Sequence, residues 1–133
     1  MSYHVAFVAL GSNMPTAPRV LEWTRRKMRA IFSTSCRFSH LEWTEPIDYP
    51  YPFPFLNQIV MISTERSQAV LGVLLKHLED EMQTRRSKPG EGRVIMDIDL
   101  LSFDGEVLRP SDWERDYVQR GVAELKTKTG RRL

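Results

Sequence analysis

The chain has little means of thiol or nucleophilic chemistry. It contains a single cysteine, Cys36, in 133 residues. That excludes an internal disulfide and fits a reducing compartment. Cys36 has no His or Cys partner at metal-ligand spacing, and no Ser/His or Cys/His constellation stands out. No apolar run approaches membrane-spanning length. The N-terminal stretch MSYHVAFVALGSN lacks a basic start and its apolar run is short, so a signal peptide is not read there and the cytoplasm is expected. The net charge is only +2, without the concentrated basic face that nucleic acid requires. Neither a nucleic-acid nor a membrane partner is expected.

What is present suits a globular domain: 41% hydrophobic and 27% charged residues. Residues 1–125 read as a single domain and 126–133 as a basic, frayed tail. HVAFVALGSN is a strand running into a tight loop. TAPRVLEWTRRKMRAIF has Leu21, Thr24, Met28, Ile31 and Phe32 near one helical face, with Thr16 and Pro18 suited to its start. TSCRFSHLEW alternates as one strand. TEPIDYPYPFPF carries prolines at 46, 50, 52 and 54, too many for a central strand, and reads as an exposed extended loop. FLNQIVMIST is a third strand. SQAVLGVLLKHLEDEMQT is a helix, with Val70, Val73, Leu74, His77, Leu78 and Met82 as its apolar face and Ser67 as N-cap. VIMDIDLLSF is a fourth strand ending at a DGE turn, and Trp113 to Gly121 suggests a short helix. The order β-α-β-β-α-β implies an α+β, ferredoxin-like sandwich: a four-stranded antiparallel sheet with helices on one face. A monomer or weak dimer is expected.

The fourth strand carries two carboxylates, Asp97 and Asp99, although Asp is disfavoured in strands. Alternation puts both on one face, with Cα atoms roughly 6.5–7 Å apart, and sends Met96, Ile98 and Leu100 to the other. Carboxylates so placed repel unless positive charge lies between them. Magnesium suits them, because it accepts one or two carboxylates and completes its shell with water and substrate phosphates. Two ions about 3.5–4 Å apart would clamp an in-line phosphoryl displacement. The plainer alternative is one solvent-facing Asp and one paired with a nearby Arg. The preceding loop, with Arg85, Arg86, Lys88 and Arg93 and with Gly90 and Gly92 as hinges, suits a triphosphate or is ordinary solvated surface.

VALGSN after the first strand, WTEP after the second, FLNQIV on the third and DIDLLSF on the fourth occur together in register. In this the chain resembles the 6-hydroxymethyl-7,8-dihydropterin pyrophosphokinases. The resemblance runs from about Val5 to Gly121. It implies transfer of the terminal two phosphoryl groups of ATP to the hydroxymethyl group of a reduced pterin, releasing AMP, in folate biosynthesis. It implies two Mg2+ ions held by Asp97 and Asp99. For the pterin it implies Gly11, Ser12, Asn13, Thr44, Phe55 and Asn57. For the nucleotide it implies Glu79, Arg86, Arg93, Ile98, Tyr117 and Arg120, with Arg86 and Arg93 also acting in catalysis. Asn57 offers an amide matched to a pterin edge, and the aromatics of the proline loop can cover a flat ring.

The chain departs from the family where Glu91 and Val94 stand in place of an aromatic and an arginine, with Arg93 one position early. A bulge near Val94 would bring that arginine back to the phosphates. Asp116-Tyr117 replaces a His-Tyr pair, and KTKTGRRL stands where the family continues into an apolar segment. A shortened relative that binds pterin or nucleotide with little transfer is the alternative. An RNA-binding βαββαβ domain is disfavoured, since FLNQIVMIST lacks the aromatic signature of such domains.

Overall fold

A computed structural model describes residues 3–84 and 90–130. The elements are β1 (His4–Ser12), α1 (Ala17–Phe32), a 3-10 turn (Ser33–Ser35), β2 (Cys36–Phe38), β3 (Glu42–Thr44), β4 (Phe55–Thr64), α2 (Gln68–Thr84), β5 (Asp97–Phe103), β6 (Glu106–Val107), α3 (Pro110–Trp113) and α4 (Asp116–Gly130). The strands form one sheet in the order β2-β4-β1-β5-β6, with β3 also on β4. Every pairing is antiparallel.

The sheet thus has six strands rather than the expected four. One added strand is β6, closed onto β5 by Asp104 and Gly105 with φ of 50° and 84°. Positive φ at both turn residues is the geometry a two-residue hairpin favours. The other comes from a break in the segment expected as one strand. Ser39 interrupts it: its Oγ accepts the Ile59 N–H at 2.8 Å, and its carbonyl accepts Gln58 Nε2 at 2.6 Å. Side chains satisfy the backbone around the gap, so β2 and β3 dock separately on β4.

The layering also differs from the expectation. Helices α1 and α2 pack on one face of the sheet over Ala6, Val8, Leu10, Leu56, Val60 and Ile62. Helix α4 packs on the opposite face, its Val118, Val122 and Leu125 meeting Phe7, Ala9, Ile59, Met61 and Leu101. Contact there is close: a Cβ on Gly121 would sit 2.5 Å from Ile59 Cγ1, so only glycine fits. Helix α4 continues past the expected end at Gly121 to Gly130.

Helices α1 and α2 form where periodicity placed them, with adjustments. In α1, Ile31 is exposed, while Ala17 and Val20 join the buried face. Thr16 occupies the N-cap position without a side-chain cap bond. Ser67 does cap α2, its Oγ accepting the Val70 N–H at 3.2 Å. The buried stripe of α2 is Leu71, Leu75, Leu78 and Met82. Val70 and Val73, expected inside, are 50% and 57% exposed, and His77 is exposed as well. Two apolar stripes overlap one residue apart on this helix, and the leucine-rich one faces the sheet.

A bulge decides what β5 presents to each layer. Phe7 pairs with Ser102 but Val8 with Leu100, leaving Leu101 as the extra residue. Before the bulge, Asp97 and Asp99 point to the α4 side, while Met96 and Ile98 enter the core beneath α1 and α2. Leu101 keeps the aspartates' side and is fully buried under α4; Phe103 switches to the other core.

Candidate active site

The register lines up chemically distinct residues across the sheet. Glu42 pairs with Asn57, Asn57 with Gly11, and Gly11 with Asp97. The next row on the same face runs Ile59, Ala9, Asp99. With strands about 4.8 Å apart, Asn57 and Asp97 stand about 10 Å from one another across Gly11. Glycine keeps that floor open; a Cβ there would come 3.3 Å from Asn57 Oδ1.

A cleft of about 240 Å³ lies over these rows. Its floor includes Gly11, Asn57, Asp97 and Asp99; one wall is the proline-rich loop with Thr44, Ile47, Tyr49 and Phe55, and the other is Arg109, Asp112, Arg115 and Tyr117. Asn57 is 5% exposed and its amide nitrogen is fully engaged. It donates to Thr44 Oγ1 at 2.8 Å and to the carbonyls of Glu42 and Phe55 at 3.2 Å each. Tyr49 meets Phe55 edge-on with ring centroids 5.6 Å apart, making an aromatic corner beside it.

Electrostatics single out the carboxylates. Burial, the Asp99 charge and the Glu79 charge push Asp97 up to about 6. Burial also raises Asp99, opposed by Arg109, whose Nη1 lies 3.8 Å from Asp99 Oδ1. A divalent cation would relieve what disfavours both anions. Among the described residues no group of three or more His, Cys, Asp or Glu could hold a metal. The donor set is therefore two hard oxygen ligands with the remaining positions left to water or substrate, which fits magnesium.

The other expected residues divide. Ser12 and Asn13 are buried at 0% and 1% and do not face the cleft. Asn13 instead clamps the segment before β5: Nδ2 donates to the Gly92 carbonyl at 2.8 Å, Oδ1 accepts the Val94 N–H at 2.5 Å, and its N–H bonds the Val94 carbonyl at 3.2 Å. Ser12 Oγ donates to the Val94 carbonyl at 3.3 Å. Arg93 does not line the cleft either. Its Nη1 donates to the Asn13 carbonyl at 2.5 Å and its guanidinium lies 3.5 Å from the Phe53 ring centroid. In the ligand-free chain Arg93 is thus turned away from the carboxylates, and Val94 lines the cleft. This segment packs on the proline-rich loop: Gly92 lies against the Tyr51 ring and its carbonyl accepts the Tyr49 hydroxyl at 2.6 Å. Arg86 lies outside the described residues.

Glu79 sits in an adjoining depression with Leu75, Ile98, Leu100 and Leu108, which shares Asp99 and Arg109 with the cleft. Its Oε1 accepts the Ile98 N–H at 2.7 Å and its Oε2 pairs with Lys76 at 3.2 Å. The Ile98 side chain is 7% exposed and serves mainly the core. Tyr117 reaches the cleft, its phenol raised by burial. Arg120 forks onto Glu42 at the outer edge, in a shallow depression beside Thr44, Ile47 and Tyr117. Glu42 also bonds His40 Nε2 at 3.0 Å, and His40 Nδ1 bonds Glu124 at 2.6 Å.

Sequence reasoning missed Arg109, Asp112 and Arg115. Their signal was the dense mixed charge of RPSDWERD directly after the carboxylate strand.

Comparison with known proteins shows the family. Residues 7–127 match the model of the 7,8-dihydro-6-hydroxymethylpterin-pyrophosphokinase (HPPK) family. The chain belongs to that family. Two relatives from two strains of Porphyromonas gingivalis, each named 2-amino-4-hydroxy-6-hydroxymethyldihydropteridine pyrophosphokinase, are 26% identical to it over 133 residues. The match covers 91% of this chain and 90% of each relative. The HPPK match takes in every cleft-lining residue named above.

Proposed function

We propose that this protein transfers pyrophosphate from ATP to the hydroxymethyl group of 6-hydroxymethyl-7,8-dihydropterin, a step in folate biosynthesis. The observation that carries the reading is the single cleft in which the Asp97–Asp99 pair stands one glycine away from the Asn57–Thr44–Phe55 corner. The pterin ring fits that corner. Asn57 Nδ2 is already committed to the protein, so Oδ1 remains to accept an N–H from the ring edge. Phe55 and Tyr49 offer aromatic surface to the heterocycle.

From there the hydroxymethyl group extends over Gly11 toward the carboxylates. Its hydroxyl oxygen attacks the β-phosphorus of ATP and releases its proton to solvent, the bond from that phosphorus to the α-β bridging oxygen breaks, and AMP departs. Asp97 and Asp99 would hold two Mg2+ ions, which supply positive charge to the phosphate oxygens when bound. The protein's part is positioning and charge compensation rather than covalent chemistry. The adjoining depression of Leu75, Ile98, Leu100 and Leu108, bordered by Lys76 and Glu79 and joined to the cleft at Asp99 and Arg109, suits the adenine base, with apolar side chains for the ring and polar groups for its edge.

One observation favours a second reading, a protein that holds pterin or nucleotide with little transfer. Arg93 is engaged by Asn13 and Phe53 rather than directed at the cleft. The two readings separate in one assay. ATP, Mg2+ and the reduced pterin are incubated with wild type, Asp97→Asn and Asp99→Asn, and AMP is followed by chromatography. AMP from wild type alone supports transfer; pterin binding without AMP supports the second reading.

A further inference from the structure

With Arg93 engaged elsewhere, the positive charge facing the carboxylates among the described residues comes from Arg109 and Arg115, and both are tied to one side chain. Asp112 Oδ2 accepts Arg109 Nε at 2.7 Å, and Asp112 Oδ1 lies 3.5 Å from Arg115 Nη2. Each carboxylate oxygen thus takes one guanidinium. Asp112 is itself held in place. Pro110 starts α3, and Trp113, the next residue, packs edge-on against Phe7 at 6.0 Å between centroids. The Trp113 carbonyl accepts Gln119 Nε2 at 2.6 Å, fastening α3 to α4.

The alternative partner for Arg109 is Asp99, already 3.8 Å from its Nη1. An arginine that closed onto Asp99 would occupy a carboxylate needed by the cation. We infer that Asp112 is a positioning residue: it holds Arg109 and Arg115 as a guanidinium rim for the polyphosphate and keeps Arg109 off the metal-binding Asp99. The inference rests on the pyrophosphokinase reading of the cleft. It assigns to α3 a role in setting the magnesium requirement. Arg115 and Tyr117 both line the cleft, which brings the rim to the first turn of α4.

The test is calorimetric, on the full chain. Wild type and Asp112→Asn are titrated with a non-hydrolysable ATP analogue over a range of Mg2+ concentrations, and separately with pterin alone. Loss of a residue that orients metal-site groups typically costs about tenfold or more. Asp112→Asn should therefore raise the Mg2+ midpoint and weaken the analogue about tenfold each. Pterin affinity without nucleotide should stay at the wild-type value. The double variant Asp112→Asn/Arg109→Gln should recover the Mg2+ midpoint without recovering analogue affinity, because no arginine remains to cover Asp99. An unchanged Mg2+ midpoint in Asp112→Asn, or no recovery in the double variant, overturns the inference. So does a variant that loses pterin binding and fold together, which would make Asp112 structural. If wild type binds no Mg-ATP analogue at all, the pyrophosphokinase reading fails and the rim with it.

Discussion

Asp97→Asn should stabilise the ligand-free protein while abolishing its response to magnesium and ATP. The Asp97 carboxyl is raised from 3.8 to about 6, first by burial and then by the charges of Asp99 and Glu79. That is about two pKa units, and each unit corresponds to about 1.4 kcal/mol. The gross penalty on the ionised form is then about 3 kcal/mol, which partial exposure to the cleft reduces to roughly 1–2. The native state binds more protons than the unfolded chain between the two values. Wild-type stability therefore falls as pH rises from about 4 to about 6, and stays at the lower level above that. Asparagine keeps the shape and removes the charge. At pH 8 the variant should melt several degrees higher than wild type, and at pH 4 the two should converge. Mg-ATP should raise the melting temperature of wild type only. Thermal melts from pH 4 to 8 measure all of this. A variant less stable than wild type at pH 8, or a difference that does not change with pH, would refute the reasoning.

Asn57→Ala should weaken pterin binding by about 1–3 kcal/mol, the loss from an unpaired buried polar partner, with Mg-ATP analogue affinity nearly unchanged; equal pterin affinity by calorimetry would count against the corner assignment. Arg93→Ala should cost about 1–2 kcal/mol of folding stability through the lost Asn13 bond and Phe53 contact, and an unaltered denaturation midpoint would show those contacts to be unimportant. His40 is raised above its ordinary value by its bonds to Glu124 and Glu42. Its contribution is therefore fully present below about 6.5 and lost as pH rises through the raised folded-state value. His40→Gln should flatten the stability slope in that window, and an NMR titration placing His40 at or below its ordinary value would contradict the network.

Much of this was legible because local pattern and tertiary demand agree. β1, β4, β5 and helices α1 and α2 follow from apolar periodicity, and the same-face placement of Asp97 and Asp99 follows from alternation alone. The second helical layer had a sequence signal that went unread: HVAFVALG and FLNQIVMIST are nearly continuous apolar runs, the mark of strands buried on both faces. The Ser39 break was not legible, because it depends on hydrogen bonds to Ile59 and Gln58, twenty and nineteen residues away. The fate of Arg93 was likewise hidden. A one-residue offset from the family's arginine could be read as a bulge or as a new role, and only the position of Phe53 and Asn13 decides between them. Asp112 escaped notice because an aspartate one residue before a tryptophan in a four-residue helix carries no periodic signal.

In the proposed reaction the β-phosphorus of ATP parts from AMP and the two terminal phosphates pass to the pterin. Phosphorus NMR of a mixture of wild-type protein, Mg2+, ATP and the reduced hydroxymethyl pterin measures both directly. The account predicts AMP in equal amount to a new pair of coupled pyrophosphate resonances on the pterin, and neither product with Asp97→Asn. ADP with inorganic phosphate, or ATP left intact while pterin is bound, would contradict it.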